Sequence, residues 1–167
     1  MKEEVVSKYI SDLDDAYSRG TISLETYEKS LSGITEASGA SAEQLKELKE
    51  KLEDLKFDKL SKQFEKGAIS STKYRSELET LMSQNVMGSD DWKQFAEAYI
   101  GTYQQDIENL DKQFEFLQDD DYAGQTSLIK SKQQTYGQKL AAIEAAGRAQ
   151  YGTNYNPDED PAYLAAK

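Results

Sequence analysis

Few residues in this chain can carry covalent or metal chemistry, and their spacing decides which. There is no His and no Cys. Thiolate and imidazole metal sites are therefore excluded, as are Cys–His and Ser–His–Asp nucleophilic catalysis. Carboxylates are plentiful, with local clusters at Asp119-Asp120-Asp121 and Asp158-Glu159-Asp160. Two chemistries would suit them, calcium ligation and glycosidase-like acid–base work. A calcium loop needs oxygen ligands at its first, third, fifth and twelfth positions around a glycine at the sixth. With Gly20 in that role the ligand positions hold Asp15, Tyr17, Arg19 and Thr26; with Gly67 the loop would begin at Lys62. Around Gly124, Asp119 and Asp121 fit, but the twelfth position is Lys130. None of these is a ligand set. An acid–base pair needs a carboxyl group in an apolar pocket to raise its pKa, and no pattern here puts one there. P-loop, Rossmann, nucleophile-elbow and zincin motifs are missing. The expectation is a non-enzymatic chain with no catalytic, cofactor or metal site, in which Asp119–Asp121 is a break between helices.

Aromatic side chains are the second candidate. Tyr17, Tyr27, Tyr74, Tyr99 and Tyr103 could form a stacking platform. They recur at helical spacing on apolar faces, so they read as core, where a ring buries area while its hydroxyl reaches the edge. The single Trp92 reads as a packing anchor at the start of a helix, with a partner hot spot as the alternative. A net charge of −11 disfavours phosphate-backbone binding, so no nucleic-acid partner is expected. No run is apolar enough to span a membrane. Met1-Lys2-Glu3-Glu4 is charged and no apolar segment follows, which predicts synthesis in the cytoplasm without a signal peptide.

The elements that position these residues are helical. Leu, Ile, Val and Phe supply only 31 of 167 residues, which with the net charge borders on the composition of disordered chains. Yet the only two prolines, Pro157 and Pro161, lie in the last eleven residues, and good helix formers dominate the rest. Val6, Tyr9, Ile10, Leu13, Ala16 and Tyr17 make one stripe, stopped at Gly20. Leu24, Tyr27, Leu31 and Ile34 make a short second one. Ser41-Ala42-Glu43-Gln44 reads as a capping box opening a long helix with heptad-spaced Leu45, Leu48, Leu52 and Leu55. A short helix with Tyr74, Leu78 and Leu81 follows Gly67. A second long helix opens at Gly88-Ser89-Asp90, carries Phe95, Tyr99, Tyr103, Ile107, Leu110, Phe114 and Leu117, and runs to about residue 118. A last helix holds Leu128, Ile129, Tyr136, Leu140 and Ile143; from Tyr151 onward an irregular tail is expected. The boundaries drawn on this basis are 1–40, 41–88, 89–150 and 151–167.

The clearest signal is self-similarity at an offset of 47 residues. Leu13–Ile34 aligns with Leu60–Leu81 without a gap, with identities at Leu13/Leu60, Gly20/Gly67, Ile22/Ile69, Ser23/Ser70, Tyr27/Tyr74 and Leu31/Leu78. Each position has a physical reading. The leucine and the aromatic residue four places on share a helix face. The basic residue meets the negative end of the helix. Glycine takes the left-handed position that ends it. Isoleucine plugs the corner, serine caps the next helix, and tyrosine and leucine close over the aromatic ring. The unit is an αα-corner. Leu110-Asp111-Lys112-Gln113-Phe114 restarts the pattern as a degenerate third copy.

The phrase Leu-x3-Phe-x-Lys-Gly-x-Ile-Ser-x3-Tyr-x3-Leu resembles the small helix–turn–helix modules of the short C-terminal domain type. Strung between long amphipathic helices, over about Leu13 to Ile143, it also resembles segments of tape-measure and related tail proteins of long-tailed bacteriophages. Tape measures are far longer and carry apolar segments, so the resemblance implies a fragment or a separate small virion or assembly protein. It implies no catalytic residues.

The expected fold is all-α, an elongated bundle or coiled-coil hairpin array of about six helices. The expected function is a non-enzymatic structural or assembly protein that self-associates or contacts other structural proteins, with a phage virion or tail-assembly role as its specific version. The alternative is an adaptor presenting a helical groove. Gly20, Ile22, Ser23, Tyr27, Gly67, Ile69, Ser70 and Tyr74 are the expected structural corner, and Leu45, Leu48, Leu52 and Leu55 the expected oligomer seam.

Overall fold

The computed structural model describes residues 2–167. It is all-α, 81 % helical, and has no strand among the described residues. Among the described residues seven α-helices follow one another: α1 (Lys2–Ser18), α2 (Leu24–Ser32), α3 (Ala42–Glu65), α4 (Ser71–Ser83), α5 (Asp90–Glu115), α6 (Tyr122–Tyr151) and α7 (Pro161–Ala166). No described helix is long and apolar enough to cross a membrane.

Two compact units divide the chain, Met1–Leu60 and Ser61–Lys167. The division falls inside α3 rather than at residues 40 and 88, because the first part of α3 packs on the corner that precedes it.

In the first unit Val6, Tyr27, Leu31, Ile34, Ala40 and Leu48 are buried together, with Ile10, Leu13, Leu45, Leu52 and Leu55 packed against them. This corrects the expected oligomer seam. Leu45, Leu48, Leu52 and Leu55 all face the unit's own core, since α1 and α2 offer the apolar partner that a second copy was expected to supply. The heptad spacing reports intrachain packing. The start of α3 is a reciprocal capping box: Gln44 Oε1 accepts from the Ser41 N–H at 3.0 Å, and Ser41 Oγ accepts from the Gln44 N–H at 3.3 Å. The Gln44 amide then donates to the Glu3 carbonyl and the Ser7 hydroxyl, at 3.0 and 2.8 Å, which pins α3 to α1.

In the second unit α4 packs on α5, and α5 on α6. Tyr74, Leu78, Leu81, Phe95, Ile107 and Ile143 are buried, each such side chain contributing about 1.5–3 kcal/mol relative to exposure. Ser70, Ser89 and Asp121 cap α4, α5 and α6 by accepting the N–H of Lys73, Trp92 and Gly124. Asp121 is therefore spent on a cap. α5 stops at Glu115, three residues short of the expected end.

The tail is ordered, contrary to the reading of 151–167 as irregular. α6 runs unbroken to Tyr151, and the chain then turns back so that α7 lies on α6. Pro161 starts α7 instead of breaking it, at the first helical position where its missing N–H has no intrahelical partner to lose. Asp160 caps that helix and also accepts a hydrogen bond from the Tyr155 hydroxyl at 2.9 Å. The Tyr155 ring sits where a side chain on residue 147 would be: a Cβ on Gly147 would stand 2.0 Å from Tyr155 Cε2.

Candidate functional site

The two aligned corners have matching geometry. Gly20 and Gly67 take φ of +69° and +70°. At each, the glycine N–H donates three residues back, to Tyr17 or Phe64, and the next N–H donates five back, to Ala16 or Gln63, the pair of bonds that closes a helix end through a left-handed residue. Ser23 and Ser70 have φ/ψ of −74°/160° and −73°/159° and accept from Thr26 and Lys73. Tyr17 stacks on Tyr27 with ring centroids 4.6 Å apart, and Phe64 meets Tyr74 at 4.7 Å with the rings tilted by 31°. Ile22 and Ile69 are half-buried beside these rings' turns. Even the tyrosine hydroxyls answer one another. Tyr27 donates to Asp14, and Tyr74 bonds Ser61 Oγ at 2.7 Å; Asp14 and Ser61 are themselves 47 residues apart.

The repeat continues into the covering helices, beyond the stretch that sequence comparison marked. Lys59 Nζ of α3 lies 3.9 Å from Glu28 of α2. At the same offset, Asp106 of α5 lies 2.9 Å from Arg75 of α4. The contact is retained with its signs exchanged, which is why residue identity could not reveal it. In the first unit Lys51 Nζ adds bonds of 2.7 Å to both oxygens of Asp14 and lies 5.9 Å from the Tyr27 ring centroid. Burial pushes the Asp14 carboxyl up, but the bonds from Lys51 and Tyr27 together outweigh it and hold the group below the ordinary aspartate value. Burial and the Asp14 bond push the Tyr27 hydroxyl up.

The second unit leaves a groove of about 380 Å³ between the end of α4, the first half of α5 and the later part of α6. Its α6 wall is Ala141, Ala142, Ala145 and Ala146, side chains too short to fill the space opposite Trp92, Ala96, Tyr99, Ile100 and Tyr103. Glu79 and Gln138 stand at its edges. Tyr103 donates to the Tyr99 hydroxyl at 3.3 Å, and Tyr99 donates to Glu79 Oε1 at 3.0 Å. The rings meet edge to face, 5.6 Å apart. Burial first, then the bonds with Tyr103 and Glu79, push the Tyr99 pKa well above that of a free phenol. Arg75, held by Asp106 and Thr102, places its guanidinium carbon 4.4 Å from the Tyr103 centroid.

Among the tyrosines, Tyr27, Tyr74 and Tyr103 are buried, Tyr99 is half-buried in the groove, and Tyr17 lies at the surface edge of its stack. Trp92 anchors the start of α5 and lines the groove. Glu79 and the alanine wall were not legible as a site, because the wall is defined by what is absent from it.

The third corner, α5 to α6, departs from the others. Its connection holds no positive-φ residue, and α5 ends on Phe116 in a right-handed conformation. The eighth residue after the cap is Leu31 in α2, Leu78 in α4 and Ile129 in α6. Leu31 and Leu78 are 1 % and 0 % exposed, whereas Ile129 is 48 % exposed, with Phe114, Phe116 and Tyr122 also open to solvent. Among the described residues no group of three or more acidic side chains is placed to hold a metal ion. Comparison of the chain with known protein families, with curated proteins and with solved structures returned no match.

Proposed function

We propose that this chain is a non-enzymatic assembly protein that associates with a second copy of itself through the α5–α6 corner. The observation that carries the reading is the exposure of Ile129, eight residues after its helix cap, where Leu31 and Leu78 at the same distance from theirs are buried. In the first two corners that position is shielded by the helix that follows. At the third, α6 runs on for 30 residues, and Ile129 is 48 % exposed. Phe114, Phe116, Tyr122 and Ile129 leave an apolar end on an α-hairpin, and two such ends brought together by a two-fold axis form a four-helix arrangement with each face covered. The self-complementary occupant is favoured because this chain builds amphipathic helices that cover such corners twice already.

The tandem corners strung on long helices support the specific version of this role, as a virion or tail-assembly component of a long-tailed phage. The test is the light-scattering mass of the intact chain over a range of concentrations. Wild type is expected to shift toward a dimer, and Ile129→Lys to remain a monomer of unchanged helicity. A wild-type monomer throughout would overturn the proposal.

A further inference from the structure

We infer that the groove between α4, α5 and α6 is a binding site for a small organic ammonium ion carrying a flat apolar group. The inference is independent of the assembly role, since the groove is built from residues away from the α5–α6 corner. Its volume of about 380 Å³ falls in the range of small-molecule sites. Its walls divide the ligand's chemistry in two. The alanine face of α6 and the Ile100 side chain offer only apolar contact, and Trp92 adds the area of its indole ring, so most of the ligand must be apolar.

The polar end is set by the direction of its hydrogen bonds. Tyr103 donates to Tyr99 and Tyr99 donates to Glu79, so both phenolic protons are committed within the relay. What the relay presents outward is lone pairs: those of the Tyr103 oxygen and of the second Glu79 oxygen. Within the relay a ligand head that only accepts hydrogen bonds finds no free donor, and an anion meets the Glu79 carboxylate. A head that donates and carries positive charge is matched by the acceptors, the carboxylate and the faces of the aromatic rings. The protein already seats one cation on this cluster: the Arg75 guanidinium lies 4.4 Å from the Tyr103 centroid, with its charge matched by Asp106. The net charge of −11 raises the local concentration of cations further.

Trp92 is the chain's single tryptophan and lies in the groove, so its emission reports on occupancy without a label. The experiment titrates the intact chain with benzylammonium and, separately, with benzyl alcohol, which keeps the ring and removes the charge. Benzylammonium is expected to produce a saturable change in Trp92 emission, with benzyl alcohol about tenfold weaker. Glu79→Gln should weaken benzylammonium about tenfold and leave benzyl alcohol unchanged. Ala145→Leu, which fills the groove from the α6 side, should abolish both while circular dichroism stays the same; if that variant fails to fold, Glu79→Gln alone carries the test. Equal affinity for amine and alcohol, insensitivity of the amine to Glu79→Gln, or no saturable change in the millimolar range would each overturn the inference. None of these results depends on the state of association, so the two proposals fail separately.

Discussion

The Arg75 guanidinium and the Asp106 carboxylate meet at 2.9 Å, 47 residues on from Glu28 and Lys59, which meet at 3.9 Å with the opposite polarity. The repeat therefore conserves where helices touch, not which charge each one brings. The two pairs are not energetically equal. Arg75 is largely enclosed and also donates to Thr102 at 2.9 Å, while Ser71 donates to Asp106 at 2.8 Å. Lys59 is half exposed and has the longer contact.

From that difference, Asp106→Asn should destabilise the second unit by about 1–3 kcal/mol, because it leaves an enclosed guanidinium without its counter-charge. Lys59→Met should cost the first unit less than about 1 kcal/mol. The exchange Arg75→Glu with Asp106→Lys, which writes the first unit's polarity into the second, should be less destabilising than either change alone. Urea denaturation of wild type, Arg75→Glu, Asp106→Lys and the double variant measures this coupling.

The glycines divide into two kinds that substitution should separate. Gly20 has no atom within 4 Å of a would-be Cβ, so Gly20→Ala carries only the cost of a positive φ, about 1 kcal/mol. Gly147→Ala instead collides with the Tyr155 ring. It should release the tail from α6 and raise its cleavage by protease, with the corners intact. Limited proteolysis followed by mass spectrometry distinguishes the two outcomes.

The first corner should respond to pH on both sides of neutrality. Asp14 sits below its ordinary value of 3.8 when folded, so its contribution is present above that pH and is lost as the pH falls through the lowered value. Tyr27 and Lys51 sit above 10.0 and 10.5, so theirs is present below those values and is lost as the pH rises through the raised ones. In the second corner Ser61 replaces Asp14, leaving only an alkaline loss from Tyr74, whose pKa burial also raises. Asp14→Asn should flatten the acid side of the stability profile, measured by denaturation between about pH 3 and pH 11.

Leu48→Ala should cost the first unit about 2–4 kcal/mol, because Leu48 is buried in a core this chain makes for itself. Paired substitutions Leu48→Glu and Leu52→Glu should unfold that unit, seen as lost helicity, rather than dissociate a folded dimer.

The helices and corners were legible because each depends on a local pattern: apolar residues at three- and four-residue spacing, a glycine that must turn left, a serine that must cap. The leucines of α3 were legible as an apolar face but not as to its partner, since spacing alone does not distinguish a neighbouring helix of the same chain from one of another. The tail was misjudged for a similar reason. Pro161 reads as a breaker unless Asp160 is seen to cap the turn it begins, and Gly147 reads as a weak helix residue unless Tyr155 is seen to occupy its missing side chain. The groove was hidden because four alanines look like helix propensity in a sequence and become a wall only when α6 lies on α5.

The chain's lack of cysteine makes the assembly claim directly measurable. A single Ile129→Cys substitution places one thiol on the exposed α5–α6 corner, and Val5→Cys places one at an exposed apolar position on α1. With a short bismaleimide at dilute protein concentration, the account predicts covalent dimers from Ile129→Cys well in excess of those from Val5→Cys. Equal and low yields from both would contradict it.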